Sequence, residues 1–304
     1  VTGPLDMNTF SETIGSLAGA GTVDTVAGAG TPALTCGGDN TSTTFSGVVQ
    51  NTTGTLALAK TGTGTLTLSG TNTYSATTTV AAGTLKLGAT NVIPDASAVT
   101  VTGTLDMNNF DETIGSLAGA GTVDNVTGAG SPVLTCGGDN TSTTFSGILK
   151  NTTGALTLVK VGSGALTLSG ANTHSGGTTL SVGTLNINNA TSLGAAASTF
   201  RIGSGTTIDN TSGGSITITN DNPQTWDGNY TFTGTQNLNM GTGAVNMAAN
   251  TQITVSLNTL TEGGVISGAT LLTKAGTGTL TLSGANTHSG GTTLSAGTLN
   301  INNA

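Results

Sequence analysis

Charge is scarce in this chain. Asp, Glu, Lys and Arg make up 7% of its 304 residues, with six basic side chains against fourteen acidic ones. Neutralising phosphates takes clustered Lys and Arg, so nucleic acid is excluded as a partner. Aromatics, at 3%, are too few for the large-residue core of a β-sandwich or closed barrel. No run approaches the roughly 18 apolar residues of a membrane helix, and no Lys- or Arg-rich amphipathic stretch suits a membrane surface. We therefore expect no membrane contact by this segment. Two cysteines cannot build a disulfide framework, and no segment has helical periodicity. Gly-rich runs such as Gly62-Thr63-Gly64 and Gly203-Ser204-Gly205 lack the strand-to-helix setting and the Lys of a phosphate loop. No nucleotide or other cofactor is expected.

What is present is glycine, 49 residues of it, with abundant Thr, Ser and Asn. Disorder goes with low hydrophobicity and high net charge. Here the mean hydropathy is +0.13 and the net charge -8, so the chain is expected to fold around a thin, evenly spread core. It begins at Val1 without a Met or a basic leader and reads as a piece of something longer.

Internal repetition organises the sequence. Leu5-Asp6-Met7-Asn8 returns as Leu105-Asp106-Met107-Asn108, and the run from Leu34 to Asn40 returns as Leu134 to Asn140. The run from Leu166 to Gly177 returns unchanged as Leu280 to Gly291. The implied organisation is a module at 1–100, its tandem duplicate at 101–200, a divergent segment at 201–268 and a partial repeat at 269–304. Within each module the local period is two. Ala165-Leu166-Thr167-Leu168 places Leu on one face and Thr on the other, the signature of a half-buried strand. Strands this short, divided by Gly, Asn and Asp corners and poor in large side chains, fit a β-solenoid in which equivalent positions stack rung upon rung. Crossovers between parallel strands favour a right-handed coil. The fold class expected is all-β, a right-handed parallel β-helix.

The segment from Gly276 to Leu299, Gly-Thr-Gly-Thr-Leu-Thr-Leu-Ser-Gly-Ala-Asn-Thr-His-Ser-Gly-Gly-Thr-Thr-Leu-Ser-Ala-Gly-Thr-Leu, resembles the autotransporter-associated β-strand repeat, also called the passenger-associated transport repeat. It recurs at residues 162–187 and more loosely at 62–87. The resemblance implies a parallel β-helix, export across a bacterial envelope and an extracellular or cell-surface location; it implies no reaction. No aromatic-rich, alternating segment for a membrane barrel is visible.

The candidate sites are few. Cys36 and Cys136 stand one module apart, too far to bridge each other, and are either small buried hydrophobes or an intermolecular cross-link in an oxidising exterior. His174 and His288 repeat one position, held by Tyr74 in the first module, and lack metal-ligand spacing. The Gly-Gly-Asp-Asn corners at 37–40 and 137–140 fit turn chemistry better than calcium. Carboxylates paired a module apart are too distant for acid–base work. The divergent segment holds the only Trp and the only Arg. There Trp226, Asp227, Asn229 and Tyr230 form a candidate glycan or partner patch, an aromatic to stack on a sugar with polar neighbours to bond its hydroxyls. The leading expectation is a non-enzymatic structural protein whose rungs stack between subunits, head to tail or laterally, into a rod, stalk or filament. The alternative is a passenger acting as an adhesin or glycan-binding module.

Overall fold

The computed structural model describes residues 1–302. Two compact units divide the chain, Val1–Leu156 and Thr157–Ala304. Among the described residues there is no helix, and the paired strands run parallel, as expected of a β-solenoid.

In the first unit, one ladder runs through Glu12–Ile14, Ala33–Cys36, Ala57–Lys60, Thr78–Val80, Ala98–Val101 and Ser116–Ala118. A second runs through Thr43–Phe45, Thr65–Leu68, Thr84–Leu87, Thr104–Asp106, Thr122–Asp124 and Ile148–Leu149. A shorter third joins Pro4–Asp6, Thr22–Asp24 and Val48–Val49. Leu66 sits on Leu85 and Leu85 on Leu105, so one turn takes about 20 residues, within the usual span of solenoid repeats. All three leucines are buried. Their neighbours Thr65, Thr84 and Thr104, also in register, point outward, as the two-residue period requires.

The second unit has the same construction. Thr157–Lys160, Thr178–Leu180, Phe200–Ile202, Gln224–Trp226, Val245–Met247 and Ile266–Ser267 form one ladder. Ala165–Leu168, Thr184–Ile187, Thr206–Asp209, Tyr230–Phe232, Thr251–Val255, Leu272–Ala275 and Thr292–Leu294 form another. The third comprises Ile216–Thr217, Leu238–Asn239, Thr259–Glu262, Thr279–Leu282 and Thr298–Ile301.

The corners explain the glycine content at particular points. Gly62 has φ +65, and a Cβ there would lie 1.8 Å from the Gly37 carbonyl oxygen of the rung below. Only glycine allows both that conformation and that approach.

Candidate functional site

Each copy of the repeat places a polar quartet at the same positions, buried throughout in the first two copies and at Lys274 alone in the third. Lys60, Lys160 and Lys274 lie on inward strand positions, and each is among the largest fully buried side chains. The Lys60 Nζ donates to the carbonyls of Thr61 (2.6 Å), Gly62 (3.0 Å) and Ala82 (3.3 Å). Lys160 meets Val161, Gly162 and Val182, and Lys274 meets Ala275, Gly276 and Ala296. Each ammonium thus ties two successive corners together through oxygens that the turn geometry leaves without ladder partners. Burial lowers the ammonium pKa of Lys60 and Lys274.

The second member is Asn72, whose Oδ1 accepts from the Val49 amide of one neighbouring rung while Nδ2 donates to the Val92 carbonyl of the other. Asn172 donates to the Ser192 carbonyl, and Asn286 accepts from the Ile266 amide. The last two members pair with each other across four residues: Tyr74 with Thr78 (2.6 Å), His174 with Thr178 (2.9 Å) and His288 with Thr292 (2.8 Å). His174 is therefore a buried corner ring in the place of Tyr74, and His288 makes the same contact half-buried. The Lys and Asn positions carried a sequence signal, identity in all three copies, that site reasoning passed over because a lone Lys or Asn matches no catalytic motif.

The divergent segment is arranged differently from the expected patch. Trp226 is 0% exposed. Its Nε1 donates to Gln224 Oε1 (3.1 Å), and its ring meets Tyr230 edge-on at a centroid distance of 5.5 Å. Gln224 Nε2 in turn donates to Oε2 of the buried Glu262 (2.9 Å). Burial drives the Glu262 carboxyl up to about 8 against the opposing Gln224 hydrogen bond, and it raises the Tyr230 phenol too, with the nearby Glu262 charge adding to the effect. Both rings belong to the core and offer no face to a sugar. Strand alternation is the reason: it turns Trp226 inward and Asp227 outward. Asp227 accepts from Arg201 Nε at 2.6 Å, and exposed Asn229 accepts from the Gln252 amide. The four residues share a stretch of chain without sharing a surface.

Cys36 and Cys136 are each 1% exposed, the outcome of facing inward beside Leu34 and Leu134. Burial pushes the Cys36 thiol up to about 11. Neither sulfur reaches the surface, which argues against the intermolecular cross-link. Asp39 and Asp139 each close a turn by accepting from the amide and hydroxyl of Thr41 and Thr141. Among the described residues no cluster of His, Cys, Asp and Glu is arranged to hold a metal ion.

A carboxylate that pattern reading did not single out is Glu112. It is buried where its tandem counterpart Glu12 is exposed, and it accepts from the Val92 and Ile93 amides. Burial drives it up to about 8 despite those bonds. Above it, between the corner at 71–75 and the loop at 91–96, lies a cavity of about 420 Å³.

Parallel rungs, three copies of one polar quartet with its Lys buried in each, and Thr-rich outer faces define a tandem-repeat β-solenoid. The passenger-associated transport repeat matches at residues 58–87, 158–187 and 272–301, each span opening just before the buried Lys. Over 261 residues, 83% of this chain, the sequence is 31% identical to the adhesin BmaC autotransporter of Brucella suis biovar 1 (strain 1330). The chain spans 7% of that relative's length. No solved structure matches it. The chain is an autotransporter passenger-repeat protein built as a β-solenoid.

Proposed function

We propose that the chain is a non-enzymatic segment of a secreted, cell-surface passenger, whose stacked rungs serve as a scaffold for adhesion. The observation that carries this reading is the use made of reactive side chains. The ammonium groups of Lys60, Lys160 and Lys274 are consumed by corner carbonyls, the thiols face the core, and Glu112 and Glu262 are buried among apolar rungs. A catalytic site needs converging groups in contact with solvent. The adhesin relative supports the surface location. Beads coated with the purified chain should adhere to host epithelial cells more than beads coated with a non-adhesive protein; equal adherence would overturn the reading.

A second reading, self-assembly by rung stacking, is supported by the uniformity of the ladders. Leu280 seats on Leu260 and Leu299 on Leu280, the same contact as Leu66 on Leu85. Any rung is therefore a template for a rung of another copy. Electron microscopy should then show fibres diffracting at about 4.8 Å along their axis, and a chain that sediments as a monomer at every concentration counts against assembly.

A further inference from the structure

The cleft between residues 71–75 and 91–96, open to solvent, is a candidate ligand site. Its volume, about 420 Å³, lies in the small-molecule range of roughly 300–1,000 Å³. Its loop is held from below: Glu112 accepts from the Val92 and Ile93 amides, Asn72 donates to the Val92 carbonyl, and the Ser97 amide closes a turn onto Pro94. Asn91, at φ +52, bends the chain into that loop. The site is therefore pre-organised, which lowers the ordering cost of binding. At the rim, the exposed side chains of Asn91 and Asp95 make no hydrogen bond among the described residues. Pro94, Ala96, Thr71 and Thr73 line the cleft with them, and its surface is mostly apolar.

We propose that this cavity binds an uncharged hexopyranose unit of a glycan. A carboxylate accepts from two vicinal hydroxyls and an amide both donates and accepts, while the C–H face of the ring packs on Pro94 and the threonine methyls. The lining contains no basic side chain and the chain carries a net charge of -8, which disfavours sialylated, sulfated or phosphorylated sugars. An apolar ligand without hydroxyls would desolvate Asp95 and leave it unpaired. The site belongs to the first module alone, since the tandem register replaces Asn91, Pro94 and Asp95 by Thr191, Gly194 and Ala195. It goes beyond the scaffold reading by naming a ligand class and its residues.

The test is an amide chemical-shift titration of the whole chain with the methyl glycosides of glucose, galactose, mannose and N-acetylglucosamine, each carried well past a Kd of about 1–5 mM. At least one should give saturable shifts confined to residues 71–75 and 91–96. Asp95→Ala should weaken that binding about tenfold or more, and Ala96→Trp, which fills the cavity, should abolish it; both residues are exposed, so the melting temperature should stay within a few degrees of the parent. No saturable shift with any of the four glycosides, shifts located elsewhere, or Asp95→Ala binding as tightly as the parent would each overturn the proposal. Saturation by methylammonium with none by the glycosides would overturn it in favour of a cationic partner. The bead-adherence assay reads the scaffold proposal separately, because the titration does not depend on adherence.

Discussion

The buried lysines show how one side chain serves a solenoid corner. Three carbonyls around Lys60 Nζ offset the cost of taking an ammonium out of water, and no carboxylate is needed. Lys60→Met keeps the stem and removes the donors, leaving three carbonyls short of a partner. We expect it to lower the stability of the rungs around it by about 2–4 kcal/mol, read as an earlier onset of the urea transition. Glu112 and Glu262 act in the opposite sense. Each is pushed up from 4.5 to about 8 by burial, so the folded state holds their protons more tightly than the unfolded chain. Their contribution to stability is complete below pH 4.5 and is lost as pH rises through about 8. The melting temperature should therefore fall between about pH 5 and pH 9, and Glu262→Gln, which keeps the shape and cannot ionise, should flatten that slope. An unchanged slope in the variant would show that Glu262 is ionised throughout.

At the scale of the strand, alternation was legible and its phase was not always used. The leucine and threonine columns of Thr65–Leu68 and Thr84–Leu87 follow directly from the sequence, as does the parallel stacking that three near-identical repeats impose. Trp226 shows where composition misled. The only tryptophan in a charge-poor chain attracts a binding role, yet Gln224, Trp226, Ile202 and Met247 share one inward phase across three paired strands. The cavity at 71–75 and 91–96 was invisible for a different reason: its walls come from successive rungs about 20 residues apart, and its rim depends on the left-handed turn at Asn91 and on the carboxylate of Glu112 beneath. Trp226 supplies the check on phase. Its fluorescence should be blue-shifted and shielded from iodide in the native chain, moving to the red and becoming quenchable on unfolding. Trp226→Ala should cost about 3–5 kcal/mol, a core penalty that a surface ring would not incur.

For the whole molecule, the same physics that makes tandem duplication easy also makes stability local. In a stacked solenoid each rung contacts its neighbours and little else, so stability is close to a sum of rung and interface terms. The register bears this out on the scale of single strands: Ala57–Lys60 pairs with Ala33–Cys36 on one side and Thr78–Val80 on the other. A lesion at Lys60 therefore reaches the rungs beside it first. The sequence provides a reporter for the remainder, because its only Trp, residue 226, lies in the unit Thr157–Ala304 while Lys60 lies in Val1–Leu156. In Lys60→Met, the far-ultraviolet circular dichroism transition, which follows the whole chain, should begin at lower urea and broaden. The Trp226 fluorescence transition should keep its parent midpoint to within about 0.3 M, since the expected loss of about 2–4 kcal/mol, at a slope of about 3 kcal/mol/M, would move it by roughly 0.7–1.3 M if the chain unfolded as one cooperative block. Coincident shifts of both probes would mean that rung interfaces couple the chain end to end, contrary to nearest-neighbour stacking.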